Sequence, residues 1–275
     1  MQDQPSKTAM GSAVLRAAHV REDAPPWVLE DDLSERLLDR RSLEEVRAEI
    51  ARWAPEVRAA FRLAHAVRSR LAEDTAVEGL VVHRHDYVLL GAGLDTFAWR
   101  HPEAGRFRIW EIDHPATQRW KRRALTEHQL SEPANVRFVP VDLAAVSLGT
   151  IQTPAAATWN WLGVTMYLER LVTEQVLKVI AQRGIGTTLV VNFVLADDET
   201  DDFTHAVQAT AAAVVGRDGE PVRAAYTRTG CVDLLERAGF SSITPFDAAA
   251  LRERYFPHRR DLRLADSTLV CVARV

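Results

Sequence analysis

Tyr87-Val88-Leu89-Leu90-Gly91-Ala92-Gly93-Leu94-Asp95-Thr96 decides how this chain is read. A short apolar run ending in glycine suits a strand buried on both faces of a parallel sheet. The glycines let the backbone turn sharply and approach a ligand closely, where a Cβ would block it. In an open α/β sheet, ligands bind beyond the carboxyl ends of the strands. A second strand ends in Glu111-Ile112-Asp113, and 113 minus 93 gives a spacing of 20 residues. A carboxylate at that spacing is placed to accept hydrogen bonds from both hydroxyls of a ribose. The dinucleotide fingerprint G-x-G-x-x-G needs glycine at position 96, where this chain has Thr96. The loop therefore favours a nucleoside ligand without a pyrophosphate.

Outward from this stretch, strands and helices alternate. Strands are expected at residues 87–90, 107–112, 137–141, 158–162 and 188–194, and two more at 241–244 and 268–272. Helices are expected at 115–129, 171–183 and 229–238, the last stopped by Gly239. Such alternation implies a parallel sheet covered on both faces. The two late strands, joined by a long connection, fit an antiparallel edge. Upstream, residues 8–78 read as helical with no strand signal. Leu33, Leu37 and Leu38 share one face of a helix capped by Asp32 or Ser34, and a further helix follows Pro55. The expected organisation is a helical cap over residues 1–78 and a core over 79–275, with a helical insertion near 196–227. The acidic residues of 197–202 read as a helix start stabilised by the dipole rather than as a metal site.

The chain has 275 residues, 47% of them hydrophobic and 26% charged, enough for a sizeable core. A formal net charge of -4 argues against a nucleic-acid partner, which needs a basic face. Cys231 and Cys271 stand in no metal-ligand spacing and read as reduced thiols in a cytoplasmic protein. No signal peptide is expected in the polar stretch from Met1 to Met10, and no window is apolar enough to span a membrane.

Several linked motifs resemble the leucine carboxyl methyltransferase family. They are the Tyr87–Thr96 run, Glu111-Ile112-Asp113-His114-Pro115, Val141-Asp142-Leu143 and Gly163-Val164-Thr165-Met166-Tyr167-Leu168, in the family's order and spacing. Gly219-Glu220-Pro221 and Ala238-Gly239-Phe240 resemble its bacterial branch, and the likeness spans about residues 60–275. The resemblance implies a doubly wound, mostly parallel, seven-stranded Rossmann-like sheet under an N-terminal helical lid. It implies S-adenosyl-L-methionine as cofactor, S-adenosyl-L-homocysteine as product, and O-methylation of a small-molecule carboxylate or hydroxyl, with specialised metabolism as the setting.

Carried over, the resemblance puts Gly91 at the cofactor's methionine part, Asp113 at its ribose and Asp142 and Leu143 at its adenine, with Ala92, Gly93 and His114 also among the cofactor-binding residues. Asp142 has an alternative reading as the cap of the next helix. Arg70 matches a family arginine that pairs with the cofactor carboxylate, and Arg68 lies two residues away. Leu162 stands where eukaryotic members carry a glutamate, so carbonyls around Leu162 and Gly163 must hold the cofactor's ammonium. Tyr167 either faces the transferred methyl or packs beneath the lid. Glu220, Arg223 and Tyr226 are candidate substrate contacts, and His205 and His258 are possible bases. Two alternatives stay open: a nicotinamide-dependent oxidoreductase, and a non-catalytic adenosylmethionine-binding protein in which Leu162 marks a decayed site. The acceptor atom is also open, because cofactor motifs do not report it.

Overall fold

The computed structural model describes residues 6–143, 147–196, 201–217 and 221–275. Its sheet comprises β1 (Asp86–Leu90), β2 (Arg108–Asp113), β3 (Val136–Pro140), β4 (Thr158–Trp161), β5 (Thr188–Val194), β6 (Ser242–Phe246) and β7 (Thr268–Arg274). The order across the sheet is β3-β2-β1-β4-β5-β7-β6. Strands β1 to β5 pair in parallel, and β7 runs antiparallel to both β5 and β6. The chain reverses its winding between β1 and β4, the place where such sheets open a crevice for ligands.

Around the sheet lie α1 (Lys7–Glu22), α2 (Arg40–Ile50), α3 (Pro55–Leu80), α4 (Phe97–Arg100), α5 (Pro115–Glu127), α6 (Arg170–Ala181), α7 (Asp202–Arg217), α8 (Arg228–Ala238) and α9 (Ala248–Tyr255). The two faces follow from the strand period of two. Leu189, Val191 and Phe193 of β5 join Leu177, Ile180 and Leu235 of α6 and α8. Val190, between them in sequence, turns the other way and packs with Leu63, Val67 and Leu71 of α3 and with Val270 and Val272. Trp159 and Trp161 are wholly buried on the α6–α8 side. No helix among the described residues is long and apolar enough to cross a membrane.

Helix α3 begins with Pro55 at its first turn, where a missing N–H costs nothing. Its buried residues Val57, Ala60, Leu63, Val67 and Leu71 recur every three or four positions, and Ala72, Ala76 and Leu80 continue the stripe at intervals of four. It therefore lies directly on the sheet and contacts α1 on its other side. Asp201 caps α7, accepting the Thr204 N–H at 2.8 Å, while 197–200 fall outside the described residues.

One expectation for the N-terminal region is corrected. Leu33, Leu37 and Leu38 do not share an α-helix; Ser34–Leu37 is a single 3-10 turn that becomes extended at Leu38. Neither Asp32 nor Ser34 caps it; its N-cap position is Leu33, and Asp31 Oδ1 accepts the Ser34 N–H at 3.1 Å. The cause is tertiary. Asp31 is fully buried and takes Arg16 Nε at 2.7 Å and Thr96 Oγ1 at 2.6 Å. Arg16 also donates to Leu94 O at 2.7 Å. Arg100 continues the network, donating to Thr96 Oγ1 at 3.0 Å and pairing with buried Glu73 of α3. A chain held at Asp31 from so many directions cannot extend a helix through it.

Beneath the loop after β1 lies a buried ion pair, Lys121 Nζ to Glu111 Oε2 at 2.7 Å. The same ammonium donates to Asp95 O at 2.6 Å and sits 4.9 Å from the centre of the Trp99 ring. Burial pushes the Glu111 carboxyl up to about 7 despite Lys121.

Removing the Asp31 carboxylate leaves Arg16 and Arg100 buried without it. Asp31→Ala is expected to lower the urea-unfolding free energy by about 3–5 kcal/mol, the usual cost of orphaning a buried charge. The Arg16 and Arg100 charges hold Asp31 below its ordinary 3.8 against the opposing effect of burial. Its contribution is thus complete above that value and fades as pH falls through the lowered one. A variant as stable as wild type at neutral pH would refute the anchoring role.

Candidate active site

The carboxyl ends of β1, β2 and β4 open into a cavity of about 980 Å³ roofed by α1, α2, α3 and α7. Gly91 leaves β1 at φ +73° and donates its N–H to Ile112 O at 2.8 Å, which ties the turn to β2. A Cβ at Gly91 would stand 2.5 Å from Val164 Cγ2, so the turn tolerates no side chain. Gly93, at φ +52°, donates its N–H to Asp113 Oδ2 and lies beneath Ala9 of α1. Asp113 Oδ1 accepts the His114 N–H at 2.5 Å. Burial raises the Asp113 carboxyl above its ordinary value, and the Gly93 and His114 amides oppose that rise.

His114 caps α5, its Nδ1 accepting the Ala116 N–H at 3.2 Å, and its Nε2 lies 4.0 Å from Asp142 Oδ2. Asp142 and Leu143 line the same wall. The 3-10 turn Leu148–Thr150 that follows is capped by Ser147 and not by Asp142. Leu162 and Gly163 close the β4 end, and Gly163 donates to Asn192 Oδ1 at 2.7 Å. The structure thus gathers Gly91, Ala92, Gly93, Asp113, His114, Asp142, Leu143, Leu162, Gly163 and Tyr167 around one cavity.

Arg70 is not among them. It projects from α3 to the exposed side, bonding Asp74 Oδ1 at 2.7 Å and Val28 O at 3.2 Å. Two residues along a helix amount to a rotation of about 200°, so Arg68 and Arg70 face opposite ways. Arg68 is the arginine that lines the cavity, and a Cβ on Gly163 would meet its Nη2 at 3.2 Å. Burial lowers the Arg68 guanidinium to about 10, Tyr167 opposes that and Arg16 adds to it. Among the described residues no carboxylate pairs with Arg68.

Two of the three candidate substrate contacts also lie elsewhere. Arg223 is half exposed and pairs with Glu169 at 2.9 Å on the surface. Tyr226 is buried in the core, edge-on to Phe193 at 5.1 Å with Arg170 over its ring at 5.0 Å. It is held there because its backbone bridges Leu195 at the end of β5. Glu220 falls outside the described residues. His205 and His258 are exposed and line no part of the cavity. Two histidines do: His114, already placed at the start of α5, and His65, one turn before Arg68, with Nδ1 against Phe61 O at 2.8 Å. Helical spacing from Arg68 was the signal that would have found it.

Thr96 has a structural reason to replace a third glycine. Its hydroxyl is buried and donates to Asp31, so the loop is fastened to the roof at that residue.

The sequence model of the leucine carboxyl methyltransferase family matches residues 9–181. YktD of Bacillus subtilis, provisionally named an S-adenosyl-L-methionine-dependent methyltransferase, is 26% identical over 96% of this chain and 95% of its own. A solved Thermobifida fusca structure, provisionally named a methyltransferase, superposes with a TM-score of 0.61 at 16% identity, covering 99% of this chain and 95% of that one. PigF, solved with SAH, superposes with a TM-score of 0.52 at 15% identity, covering 98% of this chain and 70% of that one.

Gly91→Ala is expected to cost about 1–3 kcal/mol in urea unfolding, because it combines positive φ with a steric conflict at Val164. Adding Val164→Ala should return part of that loss, and no recovery would mean that the conflict is relieved elsewhere.

Proposed function

The chain belongs to the leucine carboxyl methyltransferase family and is an S-adenosyl-L-methionine-dependent methyltransferase, and from that premise we propose that it methylates an oxygen atom of a small molecule. The observation that carries the cofactor assignment is that Arg68 and Asp113 line one cavity. The cofactor joins an amino acid to a nucleoside, and its recognition needs a cation for the carboxylate and an acceptor for the ribose hydroxyls. Arg68 answers the first need and Asp113 the second. Asp142 and Leu143 suit the edge and face of adenine, with His114 beside them. Gly91, Ala92 and Gly93 offer backbone without obstruction, and the carbonyls near Leu162 and Gly163 suit the ammonium.

When bound, the cofactor supplies a methyl group activated on a sulfonium sulfur and leaves as S-adenosyl-L-homocysteine. The protein's own part is positioning: holding an acceptor oxygen at near-attack distance removes several kcal/mol of barrier, about 7–11 in well-oriented systems. Tyr167 borders the cavity beside Arg68 and serves as a positioning group for the acceptor. Three features support a small acceptor. Helices α1, α2, α3 and α7 roof the cavity, Leu162 replaces the glutamate of the eukaryotic members, and the walls are largely apolar side chains. Free, buried thiols at Cys231 and Cys271 support a reducing, cytoplasmic setting, and the bacterial small-molecule branch supports specialised metabolism.

Calorimetric titration with adenosylmethionine tests the assignment. Arg68→Met and Asp113→Ala should each weaken binding at least tenfold, about 1.4 kcal/mol, whereas Arg70→Ala should leave it within about twofold. A loss confined to Arg70→Ala would return the carboxylate to that residue. Binding of NAD in place of adenosylmethionine would overturn the cofactor assignment itself.

A further inference from the structure

His65 stands on the cavity face of α3, one turn from Arg68, and its ring has a defined tautomer. A carbonyl only accepts, so Nδ1, 2.8 Å from Phe61 O, carries the proton. In the neutral ring, Nε2 is then a lone-pair acceptor. The cavity that His65 borders has apolar wall residues in Met10, Ile50, Trp53, Phe61, Met166 and Ala212, with the Phe61 ring 6.4 Å from that of His65.

The charges of the cavity narrow what can lie there. Three cationic side chains line it: Lys7, Arg16 and Arg68. Arg16 is spent on Asp31 and Leu94 O. Lys7 opens α1 two residues before Ala9, which covers Gly93 at the cofactor loop. Arg68 is assigned to the cofactor carboxylate. Facing the remaining space are Glu45 and Glu49 of α2, the first paired outward with Arg41. A carboxylate acceptor would meet the acidic edge of α2, with Arg16 and Arg68 already taken and Lys7 placed at the cofactor loop. An uncharged acceptor meets neither problem, but a hydroxyl needs a base to lose its proton.

We propose that His65 Nε2 is that base, and that the acceptor is an uncharged, apolar molecule bearing a phenolic or enolic hydroxyl. The proposal rests on the methyltransferase reading and deepens it. His65 takes the hydroxyl proton as the acceptor oxygen bonds to the methyl carbon. The electron pair of the broken carbon–sulfur bond stays on sulfur, and the imidazolium then releases its proton to water. Burial and the charges of Arg68 and Arg16 keep the ring unprotonated, against the pull of the Phe61 carbonyl. Tyr167, His114, Lys7 and the carboxylates Asp95, Asp113, Asp142, Glu45 and Glu49 border the same space, with His114 held at the adenine wall as the cap of α5. An anion paired with Arg68 removes one of the two repelling charges, so filling the cofactor site strengthens the base.

The test uses the full chain and matched phenol–carboxylate pairs on biphenyl, naphthalene and alkylbenzene frames. Binding is measured calorimetrically on the homocysteine-form complex, and turnover is measured with adenosylmethionine. Phenols should bind at least about tenfold more tightly than their carboxylate partners and should alone be methylated. His65→Gln should keep cofactor and phenol affinity within about threefold, lose kcat by about 10²-fold, and lose the acidic limb of the kcat–pH profile. The proposal is overturned if a carboxylate is methylated in preference to its phenol, if no phenol is turned over, or if His65→Gln retains the wild-type kcat and pH profile. Failure of adenosylmethionine to bind the wild-type protein would instead remove the methyltransferase reading on which the proposal rests.

Discussion

The structure depends on a single buried carboxylate, Asp31, and the two arginines that converge on it. Apolar packing of Met10, Ala13 and Val14 against Leu94 and Phe138 brings α1 over the carboxyl ends of the strands, and Asp31 fixes it there with polar ties. Arg16 delivers α1, Thr96 delivers the loop after β1, and Arg100 links both to Glu73 on α3. Buried charge is costly unless paired and hydrogen-bonded, and here the pairing is used to join three separate elements at one atom group. The roof, the floor and the long helix of the cavity are therefore fixed relative to one another before any ligand arrives. A second tie acts at the far end of α1. His19 donates through Nδ1 to Asp23 and accepts the Val28 N–H through Nε2, while Arg62 of α3 reaches the same Asp23 at 2.8 Å.

The floor is held in a similar way. Lys121 reaches Asp95 O from below, through a site where its ammonium also meets Glu111 and the Trp99 face. Gly91 is tied to β2 by its N–H, and Gly93 by Asp113. Preorganisation of this kind lowers what ligand binding must spend on ordering the loop. It also explains why Asp113 carries two roles: it shapes the glycine turn through the Gly93 amide, and its oxygens border the cavity.

How much of this was legible in the sequence follows from the range of the forces involved. β1 and the Gly91–Gly93 turn were readable because an apolar run ending in glycine has few other solutions, and β5 because Thr188–Val194 is rich in β-branched residues. Asp113 was readable because the sheet's register fixes its place relative to Gly93. The expected strands differ from the observed ones by one or two residues at most ends, as with β2, placed at 107–112 and found at Arg108–Asp113. What escaped depends on direction or on distant partners. Arg70 and Arg68 differ only in helical phase, which a motif match does not weigh. Tyr226 follows the helical insertion, so its sequence neighbourhood suggested the cavity, yet its bridge to Leu195 carries it into the core. The turn at Ser34–Leu37 obeys Asp31, whose partners lie 15 and 65 residues away.

Helix α3 is where these strands of the architecture meet the chemistry. Leu63, Val67 and Leu71 press one side of it onto β5 and β7, and Glu73 and Arg62 bind it to the network above. Between those fixed sides, His65 and Arg68 share the remaining face with Ala64 and Ser69, all bordering the cavity. The spacing of His65 and Arg68 is then set by the helix's own pitch, about 5.4 Å per turn, rather than by loop conformation. A site built on a packed helix holds its geometry more closely than one built on loops. Other parts of the cavity wall come from α2 and α7, which supply Ile50, Glu49, Ala211 and Ala212. Substitutions there can alter which molecule is held without disturbing the helix that aligns it.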